Sequence, residues 1–151
     1  MDAIELLKAD HETVKQLLEE ISATTERAVK KREELLQKIK LELTIHTTIE
    51  EEDFYPAFKE AGAKDELKMY HEAKEEHRAV ESLVLPDLLN TEPGSVEFSG
   101  RIKVLKELLE HHIEEEEQEI FTDAAKLMSK EQLETLGKQM EEKKNNLKKA
   151  A

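Results

Sequence analysis

The chain has 151 residues, no cysteine, 39% charged residues and a formal net charge of −13 at neutral pH. The length suits one domain with a core of its own. Without cysteine, disulfides, iron–sulfur clusters and thiolate zinc sites are excluded, and any metal must be held by His, Asp or Glu. The negative charge repels phosphate backbones and anionic lipid, so neither nucleic acid nor a membrane surface is expected as a partner. The start, Met1-Asp2-Ala3-Ile4-Glu5, lacks the order of a signal peptide, and the cytoplasm is the expected location. Four Gly, three Pro and 4% aromatics resemble a protein of long helices more than one of sheets.

Helical signals cover nearly the whole chain. The first segment, about Asp2 to Ala23, places Ile4, Leu7, His11, Val14, Leu18 and Ile21 on one stripe. The second, about Thr25 to Ala61, has the stripe Leu36, Ile39, Leu43, His46, Glu50 and Phe54; Pro56 predicts a kink or a last turn, and Gly62 a stop. The third, about Ala63 to Leu89, aligns Tyr70, Ala73, His77, Val80, Val84 and Leu88, with Pro86 expected to bend or end it early. Asn90 to Ser95 is the clearest loop. The fourth segment, about Val96 to Met128, aligns Ile102, Leu105, Leu109, His112, Glu116 and Ile120. Ser129 and Gln132 read as a capping box that opens a fifth, shorter helix over about residues 129 to 147. It ends in the Lys-rich and Asn-rich tail Lys143 to Ala151, which is expected to fray at its end. Short connections favour antiparallel neighbours. The expected fold is therefore all-α: an up-down-up-down four-helix bundle over about residues 1 to 128, with a short additional C-terminal helix, in a single domain over 1–151.

A short internal repeat stands out. Leu43 to Tyr55 aligns without a gap onto Leu109 to Phe121, and in both copies a His is followed four residues later by Glu. A His and a Glu at that spacing share a helix face and can reach one point. His46 with Glu50 and His112 with Glu116 do so, while His11 and His77 add an imidazole from each of the other two helices. An unpaired buried carboxylate or imidazole costs several kcal/mol, on the order of the net stability of a small domain. Metal coordination accounts for all six at once. Four imidazoles and two carboxylates exceed the needs of one tetrahedral zinc and suit two ions of higher coordination number.

Other readings of single residues are blander. A lone His on an apolar stripe is commonly a hydrogen-bonded core residue, and His46 with Glu50 is also a pattern found in surface ion pairs. His111 sits about 100° round the helix from His112, and His71 is likewise turned away from His77; both are expected to be exposed or to stand behind the ligands. Glu51, Glu52, Glu114, Glu115 and Glu117 read as a solvated acidic face. Glu81, four residues after His77, is a candidate extra ligand. Tyr55, Phe54, Ile120 and Phe121 read as core packing.

These residues resemble the hemerythrin-like, or HHE cation-binding, domains over about residues 1 to 128. The carriers are Asp10-His11, the run from His46 through Glu50-Glu51-Glu52-Asp53-Phe54-Tyr55-Pro56, Glu76-His77-Arg78, and His112-Ile113-Glu114-Glu115-Glu116-Glu117. The resemblance implies a left-handed four-helix bundle with an oxo- or hydroxo-bridged pair of iron ions; manganese and zinc stay open. Glu50 and Glu116 would bridge the irons, His11 and His46 would serve one, and His77 and His112 the other. The oxygen-carrying branch has an additional His where this chain has Ala73, which implies an open position and chemistry with peroxide or nitric oxide beside reversible oxygen binding. That branch also places its second carboxylate one residue later, which makes Glu117 a fallback ligand.

The leading expectation is a non-haem di-iron protein that binds or senses dioxygen or another small diatomic molecule, with Leu43, Ile49, Leu109 and Ile113 lining the site and a monomer as the expected state. The alternatives are an iron storage, delivery or iron-centre repair protein, and a metal-free helical interaction module. A ferritin-like di-iron enzyme needs Glu three residues ahead of a His, and no His here has one. The chain is therefore not expected to be a dedicated enzyme of that kind.

Overall fold

The computed structural model describes residues 1–151 and contains five helical rods and no strand. The first, α1, is Ala3–Ser22. The second, α2, is Val29–Ile49, continued by a π-helical turn Glu50–Phe54 and by Tyr55–Ala61. The third, α3, is Lys64–Ala79, a π turn Val80–Val84 and Leu85–Leu89. The fourth, α4, is Val96–Glu115, a π turn Glu116–Ile120 and Phe121–Leu127. The fifth, α5, is Lys130–Ala150. The first four form the expected antiparallel bundle, and α5 lies against α1 and α2. No helix is long and apolar enough to cross a membrane.

Side-chain caps set the helix starts. Asp2 accepts from the Glu5 amide at 2.9 Å, Ser95 from the Phe98 amide at 3.0 Å and Ser129 from the Gln132 amide at 3.1 Å. The second rod begins at Val29 rather than near Thr25. Buried Arg32 explains the shift: it donates to Thr24 Oγ1 at 3.0 Å and to the Pro93 carbonyl at 2.7 Å, which ties the 24–28 turn to the 90–95 loop at one end of the bundle.

Pro56 and Pro86 neither break nor end their rods where they stand. Each follows a π turn, whose wider spacing absorbs the missing amide donor. The third π turn, Glu116–Ile120, has no proline near it. The fifth helix runs to Ala150, slightly past the end expected near residue 147. Lys143 Nζ lies 2.8 Å from Asp53 Oδ1, and Lys144 pairs with Asp10, so its last turns are held by charges from α1 and α2.

Two apolar clusters of equal size fill the interior. One contains Leu7, Phe54, Phe58 and Met140; the other contains Leu18, Ile39, Phe98 and Leu105. Between them lies a layer of buried polar groups: His11, His46, Glu50, His77, His112 and Glu116. A polar layer inside an apolar core demands compensation from within.

Candidate metal centre

The stripe positions foreseen from the sequence converge. His11, His46, Glu50 and Glu116 each offer an atom within 4.8 Å of the others, and so do Glu50, His77, His112 and Glu116. The two sets share both glutamates. His11 Nε2 lies 3.0 Å from Glu116 Oε1, His46 Nε2 3.1 Å from Glu50 Oε1, and His77 Nε2 3.2 Å from Glu50 Oε1. Although close, His11 Nε2, His46 Nε2, both Glu50 oxygens and Glu116 Oε1 have no aligned hydrogen-bond partner. His77 Nε2 and His112 Nε2 face each other at 3.2 Å. A cation at the focus of each set would satisfy the atoms of that set.

The outward nitrogens show why the inward ones are available. Each imidazole Nδ1 meets one carboxylate: His11 with Glu117 at 2.7 Å, and His46 with Asp10, His77 with Glu51 and His112 with Glu76 at 2.9 Å each. An Nδ1–H that donates to a carboxylate leaves the Nε2 lone pair of the neutral ring pointing inward, as a metal ligand requires. Glu51 and Glu117 are therefore not part of a free acidic face, and Glu117 stands behind His11 rather than among the inward donors. Glu52 and Glu114 do lie on the surface.

The arrangement is a pseudo-twofold. Asp10, His11, His46, Glu50, Glu51 and Tyr55 map onto Glu76, His77, His112, Glu116, Glu117 and Phe121 by one constant sequence offset. The backbone follows the same symmetry, since Glu50 and Glu116 both open a π turn. Such turns re-aim the residues they contain and recur at functional sites.

Tyr55 is the residue at this site that pattern reading missed. Its ring packs in the core and stacks on His77 at 5.5 Å, as foreseen, but its hydroxyl donates to Glu116 Oε2 and lies 3.4 Å from His77 Nε2. An aromatic after the repeated His–Glu motif reads as packing; only its position over His77 brings the phenol oxygen among the donors.

Electrostatics in the metal-free cluster are strongly perturbed. Burial opposes charge on His46, but Glu50 and Asp10 outweigh it and raise its pKa to about 10. On His77 burial is likewise outweighed by Glu50 and Glu51, and the value rises to about 9. Burial works against the Glu116 carboxylate, yet its close polar neighbours Glu50, His11 and His112 hold it well below the usual carboxylate range. Without an ion, the protons retained by His46, His77 and His112 bind these rings to the carboxylates beside them.

Other expected positions fall outside. His71 is exposed, His111 is exposed and pairs with Glu115 at 3.3 Å, and Glu81 is exposed rather than among the inward donors. A cavity of about 120 Å³ abuts all four inward histidines; Val14, Leu43, Val80, Leu85, Leu109 and Ile113 form its apolar side, and Thr44, Thr47, Glu76, Glu81 and His111 also line it. Ile49 faces the opposite apolar cluster, because the α2 stripe turns away there. Ala73 walls a second, smaller cavity of about 20 Å³ that ends on His112 and Glu116.

Imidazoles and carboxylates gathered at a shared focus inside a helical bundle define a cation-binding bundle. The chain belongs to the hemerythrin HHE cation binding domain family, whose model matches residues 2–124. Its fold is that of a crystal structure of a hemerythrin HHE cation binding domain-containing protein from Mycobacterium kansasii, with 28% identity, a TM-score of 0.86, and coverage of 99% of this chain and 89% of that one. A protein of Nostoc sp. named DNA nickase is 27% identical over 135 residues, which are 89% of this chain and 36% of that protein. The chain thus spans about a third of that relative's length.

Proposed function

We propose that this chain, as a single domain over 1–151, holds two iron ions and binds dioxygen or a related small molecule, such as nitric oxide or peroxide, beside them. The observation that carries this reading is the pair of four-residue sets that share Glu50 and Glu116. One buried ion needs one set; two sets with common carboxylates fit two ions bridged by both. His11 and His46 would hold one ion, and His77 and His112 the other. Mixed imidazole and carboxylate donors suit iron and also admit manganese or zinc.

When bound, the ions supply electrons and open coordination positions. The rest is work for the protein. Asp10, Glu51, Glu76 and Glu117 fix the tautomer and angle of each imidazole. Tyr55 donates to Glu116 and so orients one shared carboxylate. The apolar side of the larger cavity, Val14, Leu43, Val80, Leu85, Leu109 and Ile113, would give a small uncharged molecule a place beside the histidine edges. Ala73, in place of the additional His of oxygen carriers, leaves the His77–His112 position one imidazole short, which favours reaction over simple carriage.

Anaerobic titration with ferrous iron followed by air tests the reading. Saturation at two irons per chain, with a near-ultraviolet or visible charge-transfer band on exposure to air, is the expected result. Less than one iron per chain and no such band would refute it. Rapid loss of iron to a weak chelator would instead favour delivery of labile iron.

A further inference from the structure

The pseudo-twofold is broken behind His46. Three of the four carboxylates that hold an imidazole Nδ1 reach solvent: the side chains of Glu117, Glu76 and Glu51 are 27%, 29% and 30% exposed. The fourth, Asp10, is 3% exposed and is the only one of the four that also carries a lysine. Its Oδ2 takes His46 Nδ1 at 2.9 Å, while its Oδ1 takes the Lys144 ammonium from α5. The symmetry mate Glu76 takes His112 Nδ1 and carries no lysine; its other close neighbour is His111, on the exposed side and within 4.8 Å.

Accordingly, we propose that Lys144 is a positioning residue for one of the two metal positions, so that α5 latches the ion held by His11 and His46 and leaves the other alone. The proposal rests on the two-ion reading above. The physical chain is short. A buried carboxylate with one free oxygen can rotate. A lysine on that oxygen stops the rotation and keeps the second oxygen aimed at the imidazole. The imidazole then keeps its Nε2 on the ion. Partners of this outer kind are worth about 10–100-fold in metal affinity.

The neighbouring Lys143 supplies an internal control. It docks the same turn of α5 at 2.8 Å from Asp53 and 3.2 Å from Glu52, neither of which touches an imidazole. Loss of either lysine weakens the seating of α5, but loss of Lys144 alone disturbs Asp10.

The test is release of ferrous iron from the fully loaded chain to a chelator, without air, in the unaltered protein and in Lys144→Met, Lys144→Arg and Lys143→Met. In Lys144→Met, half of the iron is expected to leave about 10–100-fold faster while the other half keeps its rate. Lys144→Arg restores the slow release, and Lys143→Met leaves both halves unchanged. Acceleration of all the iron, equal acceleration in Lys143→Met, or an unchanged profile in Lys144→Met would overturn the proposal. If the unaltered chain does not take up two irons, it is the two-ion reading that fails. Should Lys144→Met not fold, Asp10→Asn in the same assay must accelerate half of the iron, and failure to do so overturns the proposal equally.

Discussion

Tyr55 and Phe121 hold the same place on α2 and α4, and a single hydroxyl separates them. Each stacks on a histidine of the opposite set, Tyr55 on His77 at 5.5 Å and Phe121 on His11 at 5.6 Å. The hydroxyl donates to the shared Glu116, and burial together with the Glu116 and Glu50 charges raises the phenol pKa well above its ordinary value. Tyr55 is thus a fixed donor at neutral pH. Tyr55→Phe keeps the ring and removes the donor. Loss of a bond to a charged buried acceptor should lower the stability of the metal-free chain by about 1.5–3 kcal/mol. Urea denaturation with unchanged helix content measures it, and an unmoved midpoint would show the hydroxyl to be idle.

The sharing pattern predicts unequal losses. His46 and His112 each serve one set, whereas Glu50 serves both. His46→Ala and His112→Ala should each cut the metal content sharply, to about half by loss of one position's donors. Glu50→Gln, which keeps the volume but removes the charge, should lose both ions. His71→Ala should retain the full complement, because that ring is exposed against Tyr70 at 5.0 Å. Elemental analysis of each purified variant decides. Equal loss in His71→Ala would mean that the wrong helix face has been assigned.

The six inward residues were legible because the helical period carries them: stripes at three- and four-residue steps, with His and Glu one turn apart, survive folding unchanged. The outer carboxylates were not. Glu51 and Glu117 stand in runs of acid, where composition alone cannot single out the one that accepts an imidazole proton. The π turns are equally silent, since the turn at Glu116–Ile120 has no proline to mark it. The seating of the final helix was hidden for a different reason. A run of lysines and asparagines predicts fraying locally, but Lys144 finds its partner 134 residues away, beyond the reach of any local pattern. The offset that relates Asp10 to Glu76 and Tyr55 to Phe121 is present in the sequence, yet only the structure shows that it extends past the repeated motif.

Gly137 marks how closely α5 approaches the start of the chain. A Cβ there would stand 2.5 Å from the Met1 carbonyl oxygen, 2.7 Å from the Asp2 carbonyl carbon and 2.8 Å from the Ala3 nitrogen. All three are backbone atoms beside the Asp2 cap of α1, so relief requires the helix start to move. Overpacking costs about 1–3 kcal/mol, while alanine in a helix interior gains at most about 1 kcal/mol over glycine. Gly137→Ala should therefore destabilise the chain, on the order of 1 kcal/mol, and lower its thermal midpoint. A raised midpoint would show that the N-terminal turn yields without cost.

The metal-free and metal-loaded chains should respond to pH in opposite directions. The folded pKa values of His46 and His77 stand at about 10 and about 9, above the ordinary 6.5, so the stability they contribute is complete below pH 6.5 and is lost as pH rises through 9 and 10. Glu116 is depressed below its ordinary 4.5, and its contribution is complete above pH 4.5 and lost as pH falls through its folded value. These groups therefore make the metal-free chain most stable between about pH 4.5 and 6.5. Metal requires the same imidazoles without their inward protons, so binding must displace them, and affinity should climb as pH rises from 6.5 toward 10. Urea midpoints of both forms across this range should diverge, and metal addition in weak buffer near neutral pH should release protons. A metal-free midpoint that stays flat from pH 6.5 to 10, with no proton release, would mean that the imidazoles are already neutral and that Glu50 and Asp10 do not hold His46 charged.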